Sequence, residues 1–124
     1  MEAFAFKAPV PVLRIFDEAK AMEFYLDFLG FHVDWAHRFE DNFPVFIQIS
    51  NGFCVIHLSE HYGDACPGAA LRIETDRLDE YRNFLGEKNY KYAKPGIERT
   101  CSGLREMRIA DPFGNRLIFF DRMA

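Results

Sequence analysis

The chain has 124 residues with a formal net charge of −4, and 49% of its residues are hydrophobic. This length suits one domain over residues 1–124 that buries roughly two thirds of its unfolded surface, so it can fold without disulfides. The acidic balance argues against a nucleic-acid footprint and mildly favours cationic ligands. No apolar stretch approaches the roughly 20 residues of a membrane span, and the N-terminus lacks a signal-peptide pattern, which predicts a cytoplasmic protein.

The first predicted elements are a strand and a helix. The strand covers residues 10–16 and contains Pro11, which has no amide donor for a ladder, so an edge strand or a crossing between subunits is expected. Asp17 is typical of an N-cap, and Gly30 is typical of a helix end. Between them, five apolar residues recur at helical spacing and predict one buried face. These residues are Ala21, Phe24, Tyr25, Phe28 and Leu29.

Three strands are predicted next. Residues 31–36 resume the strand period, and the runs 44–50 and 53–59 flank Asn51-Gly52, a strong hairpin signal. Residues 60–68 contain two glycines and a proline and indicate a linker.

The second half starts with a strand over residues 69–75, followed by a helix that Asp76 is expected to cap and that runs through Leu85. A short strand over 90–92 and a loop over 94–103 are predicted after it.

A closing hairpin over residues 104–122 ends the chain, with a turn at 111–115 that combines proline, glycine and two Asx residues. Residues 10–59 and 69–122 therefore follow the same plan. Two similar halves predict two sheets that face each other across a shared space.

Two runs of the sequence carry a resemblance to a known family. The run VPVLRIFDEAKAMEFYLDFLGFHVDW resembles the N-terminal module of bleomycin-resistance proteins, within the glyoxalase and vicinal oxygen chelate superfamily. The run LREMRIADPFGNRLIF resembles their closing hairpin. The resemblance implies an α+β fold of two βαβββ modules, in a homodimer with ligand clefts between concave sheets. Members divide into metal-dependent enzymes and metal-free binding proteins.

The positions at which the enzymes of this superfamily hold their metal fall on Val10, His57, Ala70 and Ile118, with Ala69 as the alternative on the fifth strand. Only His57 could be a ligand, whereas a catalytic site usually takes at least three ligands from protein. The sequence therefore predicts no metal, no cofactor and no catalytic residue.

One motif points the other way. Residues 57–61 match the HxxEH pattern of a zinc protease, but that chemistry needs both histidines on one face of a helix. Here His57 lies in a predicted strand. An enzyme of the same superfamily with an atypical metal site around His57 is the alternative hypothesis.

Strand alternation nominates the residues that face the cleft. The predicted ligand-binding residues are Asp34, Trp35, Gln48, His57, Ser59, Arg72, Glu74 and Arg108. The resemblance places Asp34-Trp35 where the family receives the planar and cationic parts of the drug. The family's other tryptophans correspond to Arg72, Glu74 and Gly103, so part of the stacking surface is absent.

The predicted function is a metal-free protein that sequesters a bulky cationic or amphipathic small molecule, with bleomycin-type antibiotics as candidates and an antibiotic-resistance role. Its expected partners are this ligand and a second copy, with neither nucleic acid nor membrane. A third hypothesis is a dimer with a protein partner or no small ligand. Arg72, Glu74, Glu106 and Arg108 are as well explained by pairing with each other on a solvated sheet face.

Overall fold

The computed structural model describes residues 4–90, 95–100 and 103–122, which form two four-stranded sheets and two helices. The strands are β1 (Val12–Arg14), β2 (His32–His37), β3 (Phe46–Asn51), β4 (Cys54–Ser59), β5 (Ala70–Glu74), β6 (Ile97–Arg99), β7 (Leu104–Ala110) and β8 (Arg116–Arg122). The helices are α1 (Glu18–Met22), which continues as a π-helical segment over Glu23–Phe28, and α2 (Leu78–Glu87).

The two sheets have the same topology. Sheet A has the order β1-β4-β3-β2, and sheet B has the order β5-β8-β7-β6. In each sheet the first strand pairs in parallel with the last, and the other neighbours pair antiparallel. The prediction of two βαβββ modules is confirmed. Strand β1 lies at an edge of sheet A, as the proline at position 11 predicts.

The first helix begins and ends where the sequence predicts. The carboxylate of Asp17 accepts a hydrogen bond from the backbone amide of Lys20 at 3.0 Å. At the other end the amide of Leu29 donates to the carbonyl of Phe24, a π-type bond of 3.0 Å. Gly30 follows with a φ of +90°, a conformation that side chains other than glycine rarely adopt. The five apolar residues of the predicted face are all buried.

The hairpin between β3 and β4 is confirmed, although its turn lies one residue later than predicted. Asn51 pairs with Cys54, so Gly52 and Phe53 are the two central residues. Gly52 has a φ of +60°, as the first central position of a type II′ turn requires.

Two predictions for the second half are wrong. Helix α2 starts at Leu78 after Arg77, which has a φ of 54° and no capping side-chain bond, so Asp76 is not the cap. The predicted loop over 94–103 contains strand β6, which pairs with β7. Residues 91 and 92 of the predicted strand over 90–92 lie outside the described residues, and Tyr90 is not in a strand.

Both modules contribute to one hydrophobic core between the sheets and helices. Polar side chains also join the modules: the hydroxyl of Tyr25 donates to the carboxylate of Asp111 at 2.7 Å. The side-chain amide of Asn115 donates to the carbonyl of Arg14 at 2.9 Å.

No helix in the described ranges is long and apolar enough to cross a membrane. The faces of the sheets that point away from this core are open surfaces.

Candidate binding face

The open face of sheet A brings three of the predicted binding residues side by side. Gln48 on β3 pairs with Trp35 on β2 and with His57 on β4. All residues of β2 are exposed, since β2 is the other edge of the sheet. The predicted Trp35, Gln48 and His57 thus form one row across three strands.

A β-bulge puts Trp35 in this row. Val33 pairs with Ile49, but the next pair is Trp35 with Gln48, so Asp34 is the extra residue of β2. A regular ladder would pair Trp35 with Ile47, whose side chain is buried in the core. The bulge therefore places the indole and the Asp34 carboxylate together on the open side.

Three rings form what we call the aromatic cluster, namely Trp35, Phe46 and His57. The Trp35 and Phe46 rings stack with centroids 5.9 Å apart and an interplanar angle of 15°. The imidazole lies edge-on at 5.4 Å from Trp35 and 5.1 Å from Phe46. Trp35 keeps 42% of its surface exposed. Phe46 was not among the predicted residues, although its position two residues before Gln48 places it on the same face.

Hydrogen bonds hold the polar groups beside the aromatic cluster. The Asp34 carboxylate accepts from Nε2 of Gln48 at 3.1 Å and from Oγ of Ser50 at 3.0 Å. Oε1 of Gln48 lies 2.9 Å from Nε2 of His57, which donates to it. Within the described ranges Asp34 has no cationic partner, so its exposed charge is available to a ligand.

Ser59 does not reach this open face. It is fully buried, its hydroxyl donates to the carboxylate of Asp64 at 2.6 Å, and it accepts from the amide of His61 at 3.0 Å. The segment after β4 covers it.

The open face of sheet B carries the remaining predicted binding residues, Arg72, Glu74 and Arg108. Between the two arginines lies the carboxylate of Glu106, which was not among the predicted binding residues. Glu106 is only 5% exposed, and it accepts from Arg72 at 2.7 Å and from Arg108 at 3.1 Å. These hydrogen bonds, the one from Arg72 foremost, hold the pKa of Glu106 below its usual range. The Arg72 guanidinium also lies 4.9 Å from the ring centre of Phe120.

Glu74 is paired too, with Arg122 at 3.2 Å. The charges of sheet B therefore bind one another, as the alternative to ligand binding expects. No described hydrogen bond or ion pair joins them to the aromatic cluster, so the predicted residues fall into two sets on different sheets.

The side chains at the expected metal positions do not fit a divalent ion. Ala70 pairs with Arg116, and Ile118 lies between Arg72 and Arg108. Across the part of the chain that the structure describes, no three His, Cys, Asp or Glu residues lie close enough together to hold a metal. The HxxEH pattern spans strand β4 and the segment after it, not a helix.

Comparison with known proteins gives a match over the whole chain. A sequence model described as glyoxalase superfamily protein matches residues 1–124. No curated protein matches the chain.

Solved structures with the same fold have low sequence identity. A glyoxalase-related enzyme from Clostridium phytofermentans has a TM-score of 0.75 at 19% identity, covering 99% of this chain and 100% of the other. A glyoxalase family protein from Bacillus anthracis has a TM-score of 0.74 at 16% identity, covering 98% and 99%. A bleomycin-binding protein in complex with bleomycin has a TM-score of 0.72 at 18% identity, covering 94% and 99%. At these identities the likeness shows the fold alone.

Proposed function

Because the chain belongs to the glyoxalase superfamily, we propose that it binds a bulky cationic or amphipathic small molecule on the open face of sheet A and leaves it unchanged. The observation that carries this proposal is the aromatic cluster beside the exposed carboxylate of Asp34, which pairs with no cation among the described residues. A cation over an indole face gains about 0.5–2 kcal/mol, most where water is excluded. The carboxylate adds charge attraction, so a flat cationic group fits this face.

A second copy of the chain would complete the site. The aromatic cluster and the arginines of sheet B both lie on open faces, and a ligand on one face alone would stay largely in water. Small-molecule sites usually bury most of the ligand surface. We propose that sheet B of a partner copy closes over sheet A in a homodimer.

Bleomycin-type antibiotics are the first ligands to try. One neighbour in structure is a bleomycin-binding protein in complex with bleomycin. Bleomycin-type drugs combine planar and cationic groups, which matches the chemistry around Trp35 and Asp34.

The test is a calorimetric titration with metal-free and with copper-loaded bleomycin, followed in parallel by Trp35 fluorescence. One drug per chain and a change in emission are expected. Asp34→Asn and Trp35→Phe should each weaken binding by about 5–10-fold, the loss of roughly one charge or cation–π contact. Asp41→Asn, an equal charge change in an exposed loop, should not. No heat and no emission change would reject drug binding on this face.

The competing function is catalysis, since one neighbour in structure is a glyoxalase-related enzyme. Elemental analysis of protein purified without chelator separates the two. Stoichiometric zinc, nickel, manganese or iron that is lost in His57→Ala would favour an enzyme and count against a metal-free binding protein.

A further inference from the structure

A groove between the modules lies apart from the aromatic cluster. It has a volume of about 580 Å³ and runs between the β3–β4 hairpin and the N-terminal end of α2. Volumes of roughly 300–1,000 Å³ are usual for small-molecule sites. Of the residues predicted to bind a ligand, only Glu74 lines it.

The groove lies where the two modules differ at an equivalent place. The sequence EFYLDFLG at 23–30 recurs as DEYRNFLG at 79–86, which makes Tyr25 and Tyr81 counterparts. Tyr25 donates to Asp111 in the five-residue turn between β7 and β8. Tyr81 instead donates to the carbonyl of Leu29 at 2.7 Å. The equivalent turn in the first module is the two-residue turn between β3 and β4, and it supplies no carboxylate. The space beside Tyr81 stays open.

Aromatic rings form the walls of this groove. Phe84 is 43% exposed and stacks on Tyr81, with ring centres 6.0 Å apart and an interplanar angle of 17°. Phe53 at the hairpin tip is fully exposed, at 104%. A fully exposed phenylalanine contributes nothing to the core, so its ring is free to cover a flat apolar molecule.

The charge of the lining favours a cation. Three carboxylates and one guanidinium line the groove. Glu80 is paired with Arg77 and Glu74 with Arg122, both at 3.2 Å, while Asp76 has no ion pair among the residues described. The positive end of α2 lies at the same rim, but it amounts to only about half a charge. The full charge of Asp76 is larger than this half charge, while the Lys88 ammonium lies 4.3 Å from the ring centre of Phe84 without being part of the lining.

We propose that this groove is a second binding site, for small organic cations with a flat aromatic body. The body lies against Phe53 and Phe84, and the cationic group lies at Asp76. The site is separate from the aromatic cluster, and residues from both modules line it.

The probe is proflavine, a flat aromatic monocation, titrated by fluorescence anisotropy. The protein carries Asp34→Asn and Trp35→Phe, which weaken the site on sheet A. One proflavine per chain should still bind, with a Kd on the order of 10–100 μM because the groove is open. In this background Phe53→Ser and Asp76→Asn should each weaken binding by at least about 5-fold. Asp41→Asn is the matched control and should have no effect.

Three results would overturn the assignment. They are no binding to the double variant, binding that neither Phe53→Ser nor Asp76→Asn weakens, and equal binding of the aromatic anion 1-anilinonaphthalene-8-sulfonate. The proflavine titration uses the double variant, in which the sheet A site is already weakened. Its result therefore does not depend on whether the parent protein binds a ligand on sheet A, so failure of the proposed function and failure of the groove site give different results.

Discussion

At the scale of single residues, the buried hydroxyl of Tyr25 is important for stability because it donates to a buried carboxylate. Burial, followed by the nearby charge of Asp111, raises the pKa of Tyr25, so the hydroxyl stays protonated and donates. Tyr25→Phe removes this donor from a buried carboxylate, and the free energy of unfolding should fall by about 1–3 kcal/mol. Urea unfolding measures the loss.

Tyr81→Phe is the matched control, since it removes a similar hydroxyl from a neutral carbonyl. Its cost should be nearer 1 kcal/mol. If Tyr81→Phe lowers the free energy of unfolding more than Tyr25→Phe does, the hydrogen bond from Tyr25 is not needed to stabilise the buried Asp111 carboxylate.

The sequence predicts some residues of the sheet A face and not others. Gln48 and His57 follow from strand alternation, because β3 and β4 are regular. Trp35 reaches the same face only through the bulge at Asp34, which depends on how β2 pairs with β3. The burial of Ser59 depends on a segment that folds back over it. Both are long-range effects that local patterns do not contain.

At the scale of elements, helix α2 begins with a strained residue. Arg77 adopts φ 54° and ψ 53°, which costs a side chain with a Cβ about 1–2 kcal/mol. Arg77→Gly should therefore stabilise the protein by about 0.5–1 kcal/mol, after loss of the exposed pair with Glu80. Arg82→Gly in the same helix should destabilise it by about 1 kcal/mol. If both substitutions shift the urea midpoint downward, the strain is not real.

Arg105 on β7 joins β8 to α2. Its guanidinium lies 2.6 Å from Asp121 and 2.9 Å from Asp79, and its hydrogen bond lowers the pKa of Asp121. A carboxyl whose folded pKa is depressed stabilises the fold above its ordinary pKa, and that stability is lost as the pH falls through the folded value.

Arg105→Gln should therefore lower the free energy of unfolding at pH 7. The difference in this free energy between the variant and the parent protein should shrink as the pH falls through the lowered pKa of Asp121. Urea midpoints between pH 7 and pH 2 measure this. Arg99→Gln on the exposed strand β6 is the control and should show no such trend. A difference that stays constant with pH would exclude the ion pair as its source.

Element prediction failed where the signal was short. Strand β6 has three residues, of which Glu98 and Arg99 are exposed, and it exists because β7 offers a partner rather than through its own pattern. Helix α1 was predicted correctly, since five apolar residues mark one buried face and Asp17 and Gly30 mark its two ends.

At the scale of the whole molecule, the proposed site requires two copies of the chain. Sedimentation equilibrium should give twice the chain mass of 14.5 kDa, and added bleomycin should tighten the association because the ligand contacts both copies. A monomer at all concentrations that still binds the drug through Trp35 would contradict closure by a partner.

The hydrogen bond between Tyr25 and Asp111 spans 86 positions of the chain, and this spacing has a consequence during synthesis. The ribosome delivers α1 long before the turn between β7 and β8, so the Tyr25 hydroxyl has no Asp111 carboxylate to bind until most of the chain has been made. Nascent chains that stall before β7 lack the Met107, Ile109, Leu117 and Phe119 side chains of the shared core, and they are therefore expected to bind chaperones or aggregate more than full-length chains do.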